Sequence, residues 1–246
     1  MNALSQNLAT ISVRVRNFAL ITYAVPASRV RRHLPDPYEL ETFFDERREE
    51  RCLVSSTTFC NDGFRWSALP YPRLTFDEST FRAYVTHRGR RGVYFFRRYL
   101  SALPAFGPQK LFERNAGLGD FHIDTEMEGT RYGSYSCRVR SHDAENRFLI
   151  RASAEPVAKP PFETGEELAQ HITYRLHGFF TSSAGVQGHM PVSHRRMAPW
   201  SGDLLDARFD TWTALEIVSP EEIAHPYSVL VEPDIHFRLH LPRPLV

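Results

Sequence analysis

Lysine is scarce in this chain of 246 residues, where Lys110 and Lys159 are the only two among 30 basic residues and the rest are arginine. An arginine guanidinium stays protonated and does not act as an amine nucleophile. Any mechanism built on a lysine amine therefore has two candidates. Codon bias is the preferred explanation of the scarcity, and the limit on amine chemistry holds whatever its cause.

The sequence also has few cysteines, no long apolar run and a net charge close to zero. Cys52, Cys60 and Cys137 match no zinc motif and no disulfide framework, which predicts reduced thiols. No stretch approaches about 18 apolar residues, and the amino terminus lacks the pattern of a signal peptide, so we expect a cytoplasmic protein without a membrane partner. The net charge of +1 gives no reason to expect a nucleic-acid partner.

Common motifs for cofactors and nucleophiles are missing. The sequence has no glycine loop for phosphate and no Gly-x-Ser-x-Gly elbow, which argues against nucleotide binding and serine hydrolysis. His171 and His177 are six residues apart, and His189 and His194 are five apart, so neither pair has a standard ligand spacing on a helix. We predict neither a metal nor a cofactor.

Short β-rich segments bounded by turn residues make up most of the pattern, which predicts an α+β fold dominated by antiparallel β, as a barrel or a sandwich. No linker or repeat divides residues 1–246, so we expect a single domain. The predicted strands are Ser12–Val25, Glu39–Phe44, Cys52–Cys60, Phe81–His87, Val93–Tyr99, Gly119–Met127, Tyr132–Arg140, Phe179–Ser183, Val186–Met190, Ala207–Ile217 and Asp234–Leu239.

Helices are predicted at three places. Pro26 opens a short one that ends at Pro35. A second covers Ala102–Asn115. The third follows the capping box that begins at Thr164, and its apolar residues, spaced by four, give it one face to pack on the sheet.

Two groups of polar side chains can carry chemistry. In FHIDTEME, His122, Asp124 and two glutamates share one strand face, which is either exposed to solvent or turned into a barrel, where His122 and Asp124 form an acid/base pair.

The second group contains arginine within strands. Arg82 and Tyr84 share one face, whereas Tyr94 and Arg98 share another with Phe96, which together provide a pocket with aromatic walls and a cationic anchor. Ordinary cation–π contacts and salt bridges explain each arginine as well.

Two segments resemble a known family. FALITYAVPASRVRRHLPDPYELETF is similar to the opening of acetoacetate-decarboxylase-like proteins. FDESTFRAYVTHRGRRGVYFFRRYLSALPAFGPQKLF resembles the YqjF-like domain-of-unknown-function family, a branch of that superfamily with an E-x-N-x-R-x-Y-V pattern followed by R-G-V-x-F. Here the pattern begins at Glu78 and includes Arg82 and Tyr84, with Thr80 in place of asparagine.

The resemblance implies a cone-shaped, closed antiparallel β-barrel with flanking helices, an active cavity inside it, and assembly into a homo-oligomer. In the decarboxylases a lysine pair forms the Schiff base, and those positions correspond to Ala105 and Phe106 here. An imine at that position is therefore not expected, and Lys110, five residues beyond Ala105, points elsewhere if this segment is helical. Arg16 aligns with the arginine that holds the substrate carboxylate in the decarboxylases.

These observations lead to two main hypotheses, and a lysine-dependent enzyme that uses Lys110 is a third. The first is a barrel that binds a small organic ligand with a carboxylate or carbonyl and acts, if at all, by acid/base chemistry without an imine. The second is a non-catalytic module for ligand or protein association with a filled interior. In the first, Arg16, Arg82 and Arg98 orient the ligand, Tyr84 and Tyr94 line the cavity, and His122 or Glu78 transfers protons.

Overall fold

Long strands account for most of the residues that the computed structural model describes, which are 10–69, 71–102 and 114–245. They coincide with segments rich in β-branched and aromatic residues, as expected for surfaces that pack on both sides. The strands are β1 (Thr10–Pro26), β2 (Glu39–Leu40), β3 (Thr42–Phe44), β4 (Glu50–Trp66), β5 (Leu74–His87), β6 (Arg90–Leu100), β7 (Ala116–Leu118), β8 (Asp120–Glu128), β9 (Arg131–Arg140), β10 (Glu145–Ala154), β11 (His177–Thr181), β12 (Gln187–His194), β13 (Trp200–Phe209), β14 (Ser228–His240) and β15 (Arg243–Pro244).

Helices are short in the same ranges, and none of them has the length and apolar character needed to cross a lipid bilayer. The predicted capping box is confirmed in part: the Thr164 hydroxyl accepts from the Glu167 N–H at 3.0 Å, but the Glu167 carboxylate accepts from the Glu163 N–H. This box starts the helix with a buried apolar face. The helices are α1 (Ala27–Arg31), α2 (Gly165–Thr173), α3 (Asp210–Ala214) and α4 (Pro220–Ile223).

One predicted strand was wrong over most of its length, and three strands were not predicted. Ala207–Ile217 is not continuous, because β13 ends at Phe209 and α3 follows. The cause is tertiary: Trp212 on α3 is fully buried and packs edge-on against Phe81, 5.1 Å between ring centres. The strands that were not predicted are β7, β10 and β15. The predicted helix Ala102–Asn115 lies almost entirely outside the described residues.

Most strands pair antiparallel, in the order β15-β12-β11-β6-β5-β4-β1-β14-β13-β10-β9-β8. β12 pairs with β14 as well as with β11. An unbroken cycle of pairings therefore links β12, β11, β6, β5, β4, β1 and β14, which we call the seven-strand ring. β11 runs parallel to β6, so the sheet is mixed.

The close approach of β6 and β11 explains the glycine of the R-G-V motif. A Cβ on Gly92 would lie 2.3 Å from the backbone oxygen of His177 and 2.7 Å from the ring of Phe179. No side chain fits in that space without moving the backbone of β11. Gly92 is thus required where the two parallel strands meet.

Two apolar cores lie on opposite faces of β5, as the period of two in a strand requires. Phe81, Ala83 and Val85 belong to the aromatic core, which also contains Trp212. Tyr84 belongs to the second core, which includes residues of α2 and which we call the cavity-side core because several of its members line the cavity described below.

Candidate functional site

A cavity of about 80 Å³ lies between the strands of the ring, and each of the seven strands contributes to its lining. One water-sized sphere fills roughly 10–15 Å³ of such a volume, so the space suits a ligand of a few non-hydrogen atoms. Apolar side chains surround a polar group. Its titratable members are Glu78, Arg82, Arg98, Arg175, His177 and His194.

Glu78 and Arg98 form an ion pair in this lining. The Nη1 atom of Arg98 lies 3.2 Å from Oε1 of Glu78, and the two side chains are only 6% and 11% exposed. The other carboxylate oxygen of Glu78 accepts from the amide nitrogen of Asn61 at 3.0 Å. The guanidinium of Arg98 also lies 4.3 Å from the ring centre of Phe95. Both charges are compensated, so this pair is a fixed part of the wall.

A β-bulge in β6 turns Arg98 toward the cavity. Phe81 pairs with Arg97, but the next residue, Arg82, pairs with Phe95. Phe96 of β6 is therefore the extra residue, without a paired residue on β5. Beyond the bulge the alternation is reversed. Phe95 and Arg98 therefore line the cavity together, whereas Tyr94 and Phe96 face the aromatic core. Simple alternation had placed Arg98 on the face of Tyr94.

Arg82 lies beside this pair without a carboxylate of its own. Its Nε is buried without a hydrogen-bond partner, and no acidic side chain of the described ranges forms an ion pair with it. Its guanidinium lies 6.0 Å from the ring centre of Tyr84. Burial lowers the pKa of Arg82; a hydrogen bond and the charge interaction with Tyr84 oppose this shift, and the positive charges of Arg175 and Arg98 lower the pKa further. A buried cation of this kind favours an anion as its partner.

Arg175 lines another side of the cavity. Its charge is neutralised by Glu41, which is not part of the lining. Its guanidinium nitrogens donate to both carboxylate oxygens of Glu41, at 2.7 and 2.9 Å. Burial opposes ionisation of Glu41, but hydrogen bonds from His171, Arg91 and Arg175 outweigh it and hold the pKa of this carboxyl well below its usual range. Arg175 is therefore paired, in contrast to Arg82.

Two histidines complete the polar lining. The ring of His194 stacks on Phe237, with 4.4 Å between centres and 12° between planes, and its Nδ1 lies 2.7 Å from the carbonyl oxygen of Arg195. His177 contacts His189 through Nδ1 and Nε2, 2.7 Å apart. Burial lowers the pKa of all three histidines, that of His189 to about 4.

Sequence reasoning missed Arg175, His177 and His194 as site residues. The histidines entered it only as metal ligands with unsuitable spacing. A signal for His194 was present, because Met190, Val192 and His194 alternate along β12 and line the cavity together. Arg175 gave no such signal, since it follows the end of α2 and only the packing of that helix brings it to the ring.

Of the seven predicted site residues, the cavity brings three together: Glu78, Arg82 and Arg98. Tyr84 does not line this cavity but a separate pocket beside Glu41 and His171; its hydroxyl contacts Ser55 Oγ at 2.5 Å and donates to the carbonyl oxygen of Ile172 at 3.2 Å.

The other three predicted residues lie elsewhere. Tyr94 packs in the aromatic core, where its hydroxyl contacts Thr181 Oγ1 at 2.7 Å. His122 is exposed on β8, opposite Arg138 of β9. The face of β8 that carries His122 is therefore the solvent side of that hairpin.

Arg16 lies on the face of β1 that turns away from the cavity. It pairs with Asp62, 3.4 Å between Nε and Oδ2, and its side chain is 44% exposed. Cys60 lies opposite it on β4 and Asp77 follows on β5. Burial, followed by the carboxylate of Asp77, raises the pKa of the Cys60 thiol to about 11. This group is a second polar cluster, separated from the cavity by the sheet.

Among the described residues, no lysine lines the cavity and no metal site is found. Ala105, Phe106 and Lys110 lie outside them, and Lys159 stacks over Tyr227, 5.6 Å from the ring centre. Burial lowers the pKa of Lys159. No group of three or more His, Cys, Asp or Glu side chains within the described ranges is arranged to hold a metal ion.

Solved structures with a similar fold include acetoacetate decarboxylase, a decarboxylase-like enzyme and a biosynthetic enzyme. An acetoacetate decarboxylase-like enzyme from Sphingomonas wittichii RW1 aligns with a TM-score of 0.66 at 12% identity, over 97% of this chain and 93% of that one. Acetoacetate decarboxylase from Legionella pneumophila gives 0.67 at 12% identity, over 96% and 87%. The enduracididine biosynthesis enzyme MppR complexed with pyruvate gives 0.63 at 14% identity, over 96% and 90%.

At these identities the similarity establishes the fold. No match was found among curated proteins. A family model described as an uncharacterized conserved protein, DUF2071, matches residues 12–233, which is most of the chain. The chain therefore belongs to the DUF2071 family and has the acetoacetate-decarboxylase-like fold.

Proposed function

We propose that the seven-strand ring works as a closed barrel that binds a small carboxylate in its cavity, with Arg82 as the anchor. The observation that carries this proposal is the contrast among three guanidinium groups. Arg98 has Glu78 and Arg175 has Glu41, but Arg82 has no carboxylate within the described residues. One positive charge is left over, so a monoanion would complete the site.

The size and lining of the cavity support a small ligand. Its volume of about 80 Å³ is well below the roughly 300–1,000 Å³ of pockets for drug-sized molecules. A planar guanidinium binds a carboxylate through two parallel hydrogen bonds, which suits Arg82 better than a spherical ion would. The pyruvate bound to MppR, a neighbour in fold, is an anion of this class.

The rival hypothesis is a filled barrel that serves in protein association. The aromatic core fits that description, since it is packed with Phe, Tyr and Trp side chains. The cavity-side core does not, because burying several charged side chains around an empty space is costly unless a ligand uses them. Ligand binding is the function that this lining favours.

Calorimetric titration at low ionic strength tests the proposal with pyruvate and with pyruvamide, which keeps the shape and removes the charge. We expect pyruvate to bind, pyruvamide to bind at least tenfold more weakly, and Arg82→Met to lose pyruvate binding. Arg151→Met is the matched control, because Arg151 is 64% exposed on β10. Equal affinity for pyruvate and pyruvamide would contradict the proposal.

Arg16→Ala separates this proposal from the assignment that the family resemblance implies. If Arg16 holds the carboxylate, Arg16→Ala removes binding and Arg82→Met does not. The position of Arg16 across the sheet from the cavity supports the opposite result. The two variants therefore give opposite patterns under the two assignments.

A further inference from the structure

His194 is the side chain in the cavity that is best arranged to accept a proton. Its Nδ1 faces a backbone carbonyl oxygen, that of Arg195, at 2.7 Å, and a carbonyl accepts but does not donate. The proton of the neutral ring is therefore on Nδ1, which leaves the lone pair on Nε2. The neighbouring carbonyl thus fixes the tautomer that a general base requires.

The ring of His194 is also held in one orientation. Phe237 stacks on it at 4.4 Å, and Tyr174 contacts it edge-on at 5.4 Å between ring centres. Of the charged groups around it, Arg195 adjoins it on the chain and Arg82 faces it from β5. Burial lowers the pKa of His194 and the Arg82 charge adds to this effect; the hydrogen bond to the Arg195 carbonyl opposes it but is outweighed, so the pKa lies below its ordinary value and the imidazole is neutral at pH 7.

We propose that His194 is a catalytic base. It removes a proton from a carbon atom of the ligand whose carboxylate Arg82 holds, and returns it. This inference rests on the proposed function. The substrate class is a small carboxylate with a C–H bond next to a carbonyl group, because such a bond is acidic enough for an imidazole to break when nearby cations stabilise the enolate. The reaction class is keto–enol exchange or isomerisation.

The step is balanced without a co-reactant. The C–H bond breaks, its proton goes to Nε2 of His194, and its electron pair forms the C=C bond of the enolate while the carbonyl π pair moves onto oxygen. The guanidinium groups of Arg82 and Arg98 in the same cavity stabilise that oxygen. Return of the proton restores the ketone. Neither an imine nor a lysine takes part.

Deuterium exchange of pyruvate in D₂O, followed by loss of the methyl proton signal, tests this proposal. We expect the wild-type chain to accelerate exchange above the buffer rate. His194→Asn keeps an N–H donor near the Nδ1 position and removes the base, so the exchange rate at saturation should fall by about 100-fold or more with the pyruvate Kd within about threefold. His142→Asn, at a side chain that is 83% exposed, is the control.

The outcomes separate the two proposals. If pyruvate does not bind, the proposed function fails and the catalytic inference fails with it. If pyruvate binds and no exchange occurs above buffer, or His194→Asn exchanges at the wild-type rate, binding stands and the base is overturned. Thermal melting checks that His194→Asn folds. If it does not, His194→Gln, which places an amide near the Nε2 position, takes its place with the same expected loss.

Discussion

Arg98 and Glu78 form a buried ion pair across β5 and β6, 3.2 Å between Nη1 and Oε1, on the wall of a cavity that also contains Arg82. The pair matters for stability because both side chains are buried, so each charge depends on the other for compensation. Its arginine reaches the cavity only through the bulge in β6. Of the three arginines in the wall, Arg98 and Arg175 are each paired with a glutamate, whereas Arg82 has no carboxylate partner among the described residues.

Glu78→Gln should lower the free energy of unfolding by about 3–5 kcal/mol, because it leaves the buried Arg98 charge uncompensated. Glu78→Met combined with Arg98→Met should recover most of that loss, since it removes both charges. Urea denaturation measures both. An equal loss in the single and the double variant would show that the ion pair is not the cause.

Arg82→Met should raise the free energy of unfolding of the ligand-free chain by roughly 1–3 kcal/mol, because it removes a buried charge that has no carboxylate partner among the described residues and keeps an apolar side chain of similar length. The same variant is expected to lose pyruvate binding. Arg151→Met should stay within about 0.5 kcal/mol of the wild type, as exposed substitutions do. A less stable Arg82→Met chain would show that Arg82 is structural.

Glu41→Gln should lower stability by about 3 kcal/mol at pH 7, because Arg175, 3% exposed, loses its carboxylate. The pKa of Glu41 is lowered from its ordinary 4.5, so folding favours its ionised form. That stabilisation is complete above about pH 5 and is lost as the pH falls below it. The difference in unfolding free energy between wild type and variant should therefore shrink between pH 5 and pH 3. A constant difference would contradict the assignment.

Gly92→Ala should destabilise the chain by about 2 kcal/mol or more, because its Cβ would lie 2.3 Å from the backbone oxygen of His177. Gly133→Ala is the matched control, since the three atoms nearest to its Cβ all belong to the Glu128 side chain, which is exposed and can move. Thermal unfolding compares the two. Similar melting temperatures for both variants would show that β11 shifts to admit the methyl group.

Local pattern alone determined much of this protein. The alternation of β-branched and aromatic residues identified most of the long strands, and a capping box located the start of α2. The shared face of Arg82 and Tyr84 followed from the period of two, because no irregularity interrupts β5 between them. The excess of arginine over lysine favoured carboxylate binding over amine chemistry.

Tertiary structure decided which of these side chains meet. The bulge in β6 is set by pairing with β5, so no count along the chain places Arg98 beside Phe95. Trp212 lies on a helix and not on a strand because the aromatic core has space for it there. His194, Arg175 and Arg82 are far apart in sequence and converge only when the ring of pairings is complete. Sequence patterns report each strand's own faces, whereas a cavity is defined by the faces of seven strands at once.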